Sequence, residues 1–93
     1  MMKKQHIENA AKILKAMGNE RRLEVLYNLY AVESNVGELE KKVRLSQSAL
    51  SQHLAVLRNE NIVKTRRVAQ TIYYSIRDDK ILRLLELIKK MYD

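Results

Sequence analysis

The hydrophobic period of this chain changes twice, and the two changes leave few folds open to it. Up to Arg58 the apolar residues recur at helical spacing, from Ile62 to Arg77 they alternate, and beyond Asp79 helical spacing returns. Between about Lys4 and Met17, the residues Ile7, Ala10, Ala11, Leu14 and Met17 mark one face of an amphipathic helix. Gly18 stops it and Asn19 can cap the next. In that second helix Leu23, Leu26, Tyr27 and Tyr30 form a stripe that Val25, Leu29 and Val32 widen, which puts this helix at the centre of the fold. Ser34-Asn35 break the pattern. Asn35 with Glu38 three residues on has the form of a capping box, opening a short helix with Val36, Leu39 and Val43 inward.

Arg44-Leu45 is a brief turn into the segment Leu45–Arg58, where Leu50, Leu54 and Leu57 make an apolar stripe. Ser46 is placed to cap it. The opposite face carries Gln47, Ser48, Ser51, Gln52 and Arg58, with no carboxylate before Glu60. A helix with short, uncharged polar residues at its N-terminal end can approach a polyanion and offer donors and acceptors to base edges; an ordinary solvated face has the same composition. Two short helices joined by a tight turn form a helix-turn-helix, although the glycine often found in that turn is missing.

The alternating part reads as two strands, Ile62 to Val68 and Thr71 to Arg77, with Ile72, Tyr74 and Ile76 on one face. Ala69-Gln70 connects them. Without glycine there, a residue with a β-carbon must enter the left-handed region, at a cost of about 1 kcal/mol. Asp78 or Asp79 then caps a last helix running to about Tyr92, apolar over more than half its girth. The expectation is one domain over residues 1–93, mainly α with a β-hairpin: a winged helix-turn-helix in the order α-α-α-α-β-β-α. One small protomer can hardly bury both end helices, so they are expected to form a homodimer surface from Ile7, Ala10, Ala11, Leu14, Leu84, Leu85, Ile88, Met91 and Tyr92.

Charge and composition restrict the function. Lys and Arg outnumber Asp and Glu by 18 to 11, a net charge of +7 that a homodimer doubles. Such a domain attracts nucleic acid or anionic lipid. The absence of cysteine removes disulfides, thiolate metal sites, thiol redox sensing and cysteine nucleophiles together. No Gly-rich phosphate loop and no converging Asp/Glu/His cluster is visible, so neither catalysis nor a cofactor is expected. The Met-Met-Lys-Lys-Gln-His start leads into an amphipathic helix, and no uncharged run approaches the ~18 residues of a membrane span. The expectation is a soluble, cytoplasmic, nucleoid-associated protein with no membrane partner.

Double-stranded DNA is then the expected partner. Gln47 and Gln52 each offer an acceptor and two donors, the set that pairs bidentately with adenine in the major groove. Ser48 and Ser51 are short enough to let the backbone approach. Arg66, Arg67 and Gln70 on the hairpin are expected at phosphate or the minor groove, with Lys41, Lys42, Arg44 and Arg58 flanking the recognition helix. If about six to eight phosphates are neutralised per dimer, log K falls with log salt at a slope near −5 to −7. The same helix meeting a protein, as a winged-helix interaction module without specific DNA binding, is the alternative. His53 is expected half-buried and structural, His6 at the surface, and the two are too far apart to chelate. Tyr73 and Tyr74 are expected to pack in the strand. Arg21 and Arg22 open a helix against its dipole and call for carboxylate or phosphate partners, carboxylates by preference.

Three segments carry a likeness. Leu14–Leu23 (LKAMGNERRL), Leu45–Ala55 (LSQSALSQHLA) and Ala69–Tyr74 (AQTIYY), in that order, resemble the ArsR/SmtB family of bacterial transcriptional regulators, and within it the HlyU-type branch. The likeness runs from about Ala10 to Tyr92. It implies a homodimer built on the first and last helices, binding an imperfect inverted repeat, with Gln47, Ser48, Ser51 and Gln52 facing the major groove. It also implies an activator or anti-silencer of virulence or toxin genes, competing with a DNA-silencing protein. The family's sensing residues do not carry over. Asn35 stands where metal-sensing members place cysteine, and Lys80 and Met91 replace the zinc histidines of the last helix, leaving Asp78 as the match. The redox cysteines of the HlyU-type branch fall at Tyr27 and Asp93. A regulator blind to zinc and thiol oxidants, controlled by abundance or competition, is the expectation.

Overall fold

A computed structural model describes residues 1–93. In chain order the elements are α1 (Lys4–Met17), α2 (Glu20–Ala31), β1 (Ser34–Asn35), α3 (Val36–Lys42), α4 (Gln47–Asn59), β2 (Val63–Val68), β3 (Thr71–Ile76) and α5 (Asp79–Lys90). Four helices start at a side chain that accepts from the open amides of the first turn. Asn19 Oδ1 accepts from the amides of Arg21 and Arg22 at 3.0 and 3.1 Å. Asn35 and Glu38 form the reciprocal capping box, at 2.8 and 2.9 Å. Ser46 Oγ accepts from Ala49 and Asp78 Oδ1 from Ile81, both at 3.1 Å. The turn between α3 and α4 needs no glycine, because it stays at negative φ and closes through Leu45 N–H to the Val43 carbonyl at 2.9 Å.

The wing is a three-stranded antiparallel sheet in the order β1-β3-β2, not a bare hairpin. Ser34 and Asn35 pair with Tyr74 and Tyr73, so the residues that break the helical pattern also supply an edge strand. The hairpin register runs from Val63–Ile76 to Val68–Thr71 and leaves Ala69-Gln70 as a two-residue turn. Ala69 takes the left-handed position at φ 55°, as the missing glycine required.

Asn61, at φ 58°, is the other residue with a β-carbon in that region. It ends α4 in a Schellman motif: Ile62 N–H reaches the Leu57 carbonyl at 2.9 Å and Asn61 N–H the Arg58 carbonyl at 3.0 Å. Asparagine tolerates this conformation better than other side chains with a β-carbon. The motif turns the chain directly from α4 into β2.

Fifteen apolar residues form the core, led by Val25, Leu26 and Leu29 of α2, Leu39 of α3, and Leu50, Leu54 and Leu57 of α4. The end helices depart from expectation. In α1 the inward residues are Ala16 and Met17, with Ile13 and Ala10 part-buried, whereas Ile7, Ala11 and Leu14 face solvent. In α5 it is Ile81 and Leu85 that reach the core; Leu85 is 0% exposed. The assignment of Leu85 to a dimer surface is therefore corrected: its side chain is consumed within the protomer. Val32 lies past the end of α2 and is exposed rather than part of its stripe. The radius of gyration, 13.7 Å, exceeds the about 12 Å expected of a compact chain this long. A 45 Å long axis agrees with end helices that reach beyond the core. No helix is long and apolar enough to cross a membrane.

Candidate nucleic-acid interface

The fold presents α4 by its stripe. Leu50, Leu54 and Leu57 are wholly buried, so the helix cannot roll, and Gln47, Ser48, Ser51, Gln52 and Arg58 all face solvent. The expected recognition residues therefore lie together on one exposed face. That face contains no carboxylate. Ser46 satisfies the amide of Ala49 only, which leaves the first amides of α4 open at the same end as Gln47 and Ser48. Lys41 and Lys42 close α3, Arg44 sits in the turn, and all three are exposed. None of Lys41, Lys42, Arg44, Arg58 and Arg67 is paired with a carboxylate; the protein's ion pairs are Arg21–Glu24, Arg66–Glu33 and Lys90–Glu86.

The wing divides its two arginines. Successive residues of a strand point to opposite faces, and the register sets Arg67 opposite Ile72, in line with the inward Tyr74 and Ile76. Arg66 lies opposite Tyr73 on the outer face. Arg67 stays at the tip, its Nε donating to the Ala69 carbonyl at 3.2 Å, beside exposed Gln70. Arg66 is engaged elsewhere. Its Nε and Nη2 donate to both oxygens of Glu33 at 2.7 to 2.9 Å, and its guanidinium lies 4.9 Å from the Tyr73 ring centre. The hydrogen bond from Arg66, then its charge, then that of Lys64, hold the Glu33 carboxyl below the usual carboxylate range. Arg66, expected with Arg67 and Gln70 at phosphate or the minor groove, is paired with Glu33 on the opposite face of the sheet: adjacency in sequence placed it with Arg67, and the pleat separates them. Nothing in the residues around Arg66 signals the pairing, because Glu33 lies 33 positions upstream.

Other expected sites resolve more simply. Arg21 meets a carboxylate, Glu24, at 3.2 Å, while Arg22 donates from Nε to the Ala16 carbonyl at 2.6 Å, a backbone partner at the end of α1. His53 is half-buried and His6 exposed. Tyr73 and Tyr74 are half-buried in β3; Tyr74 packs on the core and Tyr73 lies under Arg66. No three His, Asp or Glu side chains converge, and Asp78 is occupied as the cap of α5. Tyr27 uses its hydroxyl to donate to the Leu85 carbonyl at 2.8 Å, tying α2 to α5.

Residues 19–65 match the family described as bacterial regulatory protein, arsR family. Transcriptional activator HlyU of Vibrio cholerae is 48% identical over 88 residues, spanning 91% of this chain and 82% of that protein. A solved structure of HlyU from the same species superposes with a TM-score of 0.89 at 46% identity, covering 98% of each chain. Nodulation protein NolR of Rhizobium meliloti is 51% identical over 90 residues, 97% of this chain and 74% of that protein. A Mycobacterium bovis structure, described as a homodimeric winged helix-turn-helix DNA-binding domain, has a TM-score of 0.88 at 26% identity, covering 94% of this chain and 81% of that one. A wing behind an exposed, carboxylate-free recognition helix defines a DNA-binding transcriptional regulator. The chain belongs to the ArsR family of bacterial regulatory proteins.

Proposed function

We propose that this regulator binds an imperfect inverted repeat as a homodimer, reading bases with Gln47, Ser48, Ser51 and Gln52 of α4. Arg67 and Gln70 approach the adjacent minor groove, and Lys41, Lys42, Arg44 and Arg58 contact phosphates. The observation that carries this reading is the α4 face: uncharged donors and acceptors fixed outward by three buried leucines. A good bidentate contact discriminates between bases by about 1–3 kcal/mol. The dimer face runs along α1 and α5, through Ile7, Ala10, Ala11 and Leu14 and through Leu84, Leu87, Ile88, Met91 and Tyr92. Leu14 at 57%, Leu87 at 61% and Met91 at 69% exposure are large apolar groups on a chain with a small core, which supports a partner surface. Similarity to a homodimeric domain supports the same assembly.

Similarity to a protein named as a transcriptional activator supports an activating role; the form proposed for it is anti-silencing, in competition with a DNA-silencing protein in the cytoplasm. Virulence or toxin genes are the proposed targets. With Asn35, Tyr27 and Asp93 at the family's sensing positions, control comes through abundance or competition rather than zinc or thiol oxidation. The test is to footprint the chromosome for bound sites, then compare Gln52→Ala on a bound site and on a random duplex. Gln52→Ala weakens binding to the chromosomal site by about 1–3 kcal/mol per half-site and leaves random DNA nearly unchanged. Equal losses on both would refute base reading by this face.

A further inference from the structure

The outer face of the wing carries a feature that the proposed function does not use. In an otherwise basic region, a carboxylate takes the Nε–Nη2 edge of one arginine. Glu33 precedes β1, so it falls in register with Ser75 of β3 and Lys64 of β2, one row from the Arg66–Tyr73 pair. These side chains share the outer face. Arg66 makes three short bonds to Glu33 and rests on Tyr73, so its guanidinium is fixed on two sides. The pair is partly exposed, at 57% for Arg66 and 31% for Glu33. Exposed pairs add little to stability, so its consequence lies in where the charge sits. The other DNA-facing cations have no such partner.

We propose that Glu33 limits the protein's sequence-independent attraction to DNA, by holding Arg66 out of the set of phosphate contacts and against the sheet. A free arginine on each wing adds sequence-independent attraction, since phosphate contacts carry affinity but no base information. Pairing that arginine internally lowers affinity for random DNA, and the bidentate clamp fixes the angle of β2 to the body through β1. Glu33 is in this sense a positioning residue, acting through Arg66. The inference rests on the DNA-binding reading above.

The test uses the full chain and a random-sequence duplex, with binding followed by fluorescence anisotropy across a salt series. Glu33→Gln keeps the shape and removes the charge. Each phosphate contact adds about 0.9 to the salt slope, so this variant steepens the slope by about two per dimer. Its advantage over the parent protein is then about tenfold greater at 50 mM than at 200 mM salt. Arg66→Ala leaves the parent slope unchanged, and the double variant returns to it. A merely structural role for Glu33 would not steepen a salt slope. A slope flattened by about two in Arg66→Ala, or a Glu33→Gln slope equal to the parent's, overturns the inference. A parent slope near zero would instead sink the DNA-binding reading itself. Should Glu33→Gln fail to fold, as judged by circular dichroism, Arg66→Ala still decides between a clamped and a phosphate-bound arginine.

Discussion

Replacing Tyr27 by Phe removes one defined bond and nothing else of size. Its hydroxyl donates to the Leu85 carbonyl at 2.8 Å, the side-chain hydrogen bond that joins α2 to α5. The ring remains, and with it the edge-on contact to Tyr30, whose centre lies 6.3 Å away. Within α5 the Leu85 carbonyl also lies in line for the amide four residues on, so the variant leaves no orphaned acceptor. The cost is therefore that of a net hydrogen bond, about 1 kcal/mol. For a domain of this size that lowers the melting temperature by about 4–8 °C. The effect also depends on pH. Burial, and secondarily Tyr30, push the Tyr27 phenol above its ordinary value. The folded state thus favours the neutral form, and its contribution is complete below about pH 10, the unfolded value. It disappears as pH rises through the folded value, where a phenolate can no longer donate. Melting curves by circular dichroism, at one fixed protein concentration because dimerisation would shift them, should show the two proteins converging above about pH 10. Equal melting temperatures at neutral pH, or parallel alkaline declines, would refute the role given to this bond.

The other predictions concern single positions. Asn61→Val places a branched β-carbon at φ 58° and should cost about 1–2 kcal/mol, whereas Asn61→Gly should be neutral or better; urea midpoints of the two separate strain from lost contacts. Leu54→Ala opens a void in a side chain with no exposure and should cost about 2–5 kcal/mol, read as a lower urea midpoint at constant slope. Leu87→Glu alters a residue exposed on the protomer, so helix content should persist while sedimentation shifts from dimer to monomer; an unchanged dimer would remove this face from the interface.

Much of the architecture was legible because the signals are local. Asn19, Asn35, Ser46 and Asp78 each act on amides two or three residues away; the first three cap the helices expected of them, and Asp78 is the one of two candidate aspartates that caps α5. The stripe Leu50–Leu54–Leu57 likewise fixes which side of α4 faces out, and with it the exposure of Gln47, Ser48, Ser51 and Gln52. What escaped depends on distant partners. A two-residue strand has no period to read, so β1 emerges only when Tyr73 and Tyr74 fold back beside it. Leu85 and Leu87 are equally apolar in sequence; the position of α2 and β3 decides that the first is buried and the second is not. Arg22 finds a carbonyl where a carboxylate was expected, because the end of α1 reaches it first.

The flanking cations differ in what they do without DNA, which ranks them as reporters of it. Lys41 and Lys42 lie in the last turn of α3, and Arg58 in the last turn of α4. A cation there offsets the helix dipole, by about 0.3–1 kcal/mol. Removing one disturbs the helix as well as any phosphate contact, so a weakened complex would have two causes. Arg67 bonds the turn carbonyl of Ala69 and helps hold the tip at its left-handed residue. Arg44 stands apart: it is exposed, lies between α3 and α4, and has neither a carboxylate partner nor a side-chain hydrogen bond within the protein. Its charge has no structural work to do. Arg44→Ala should therefore leave the melting temperature unchanged while flattening the salt slope by about two per dimer. A slope unchanged alongside an unchanged melting temperature would take the turn of the helix-turn-helix out of contact with phosphate.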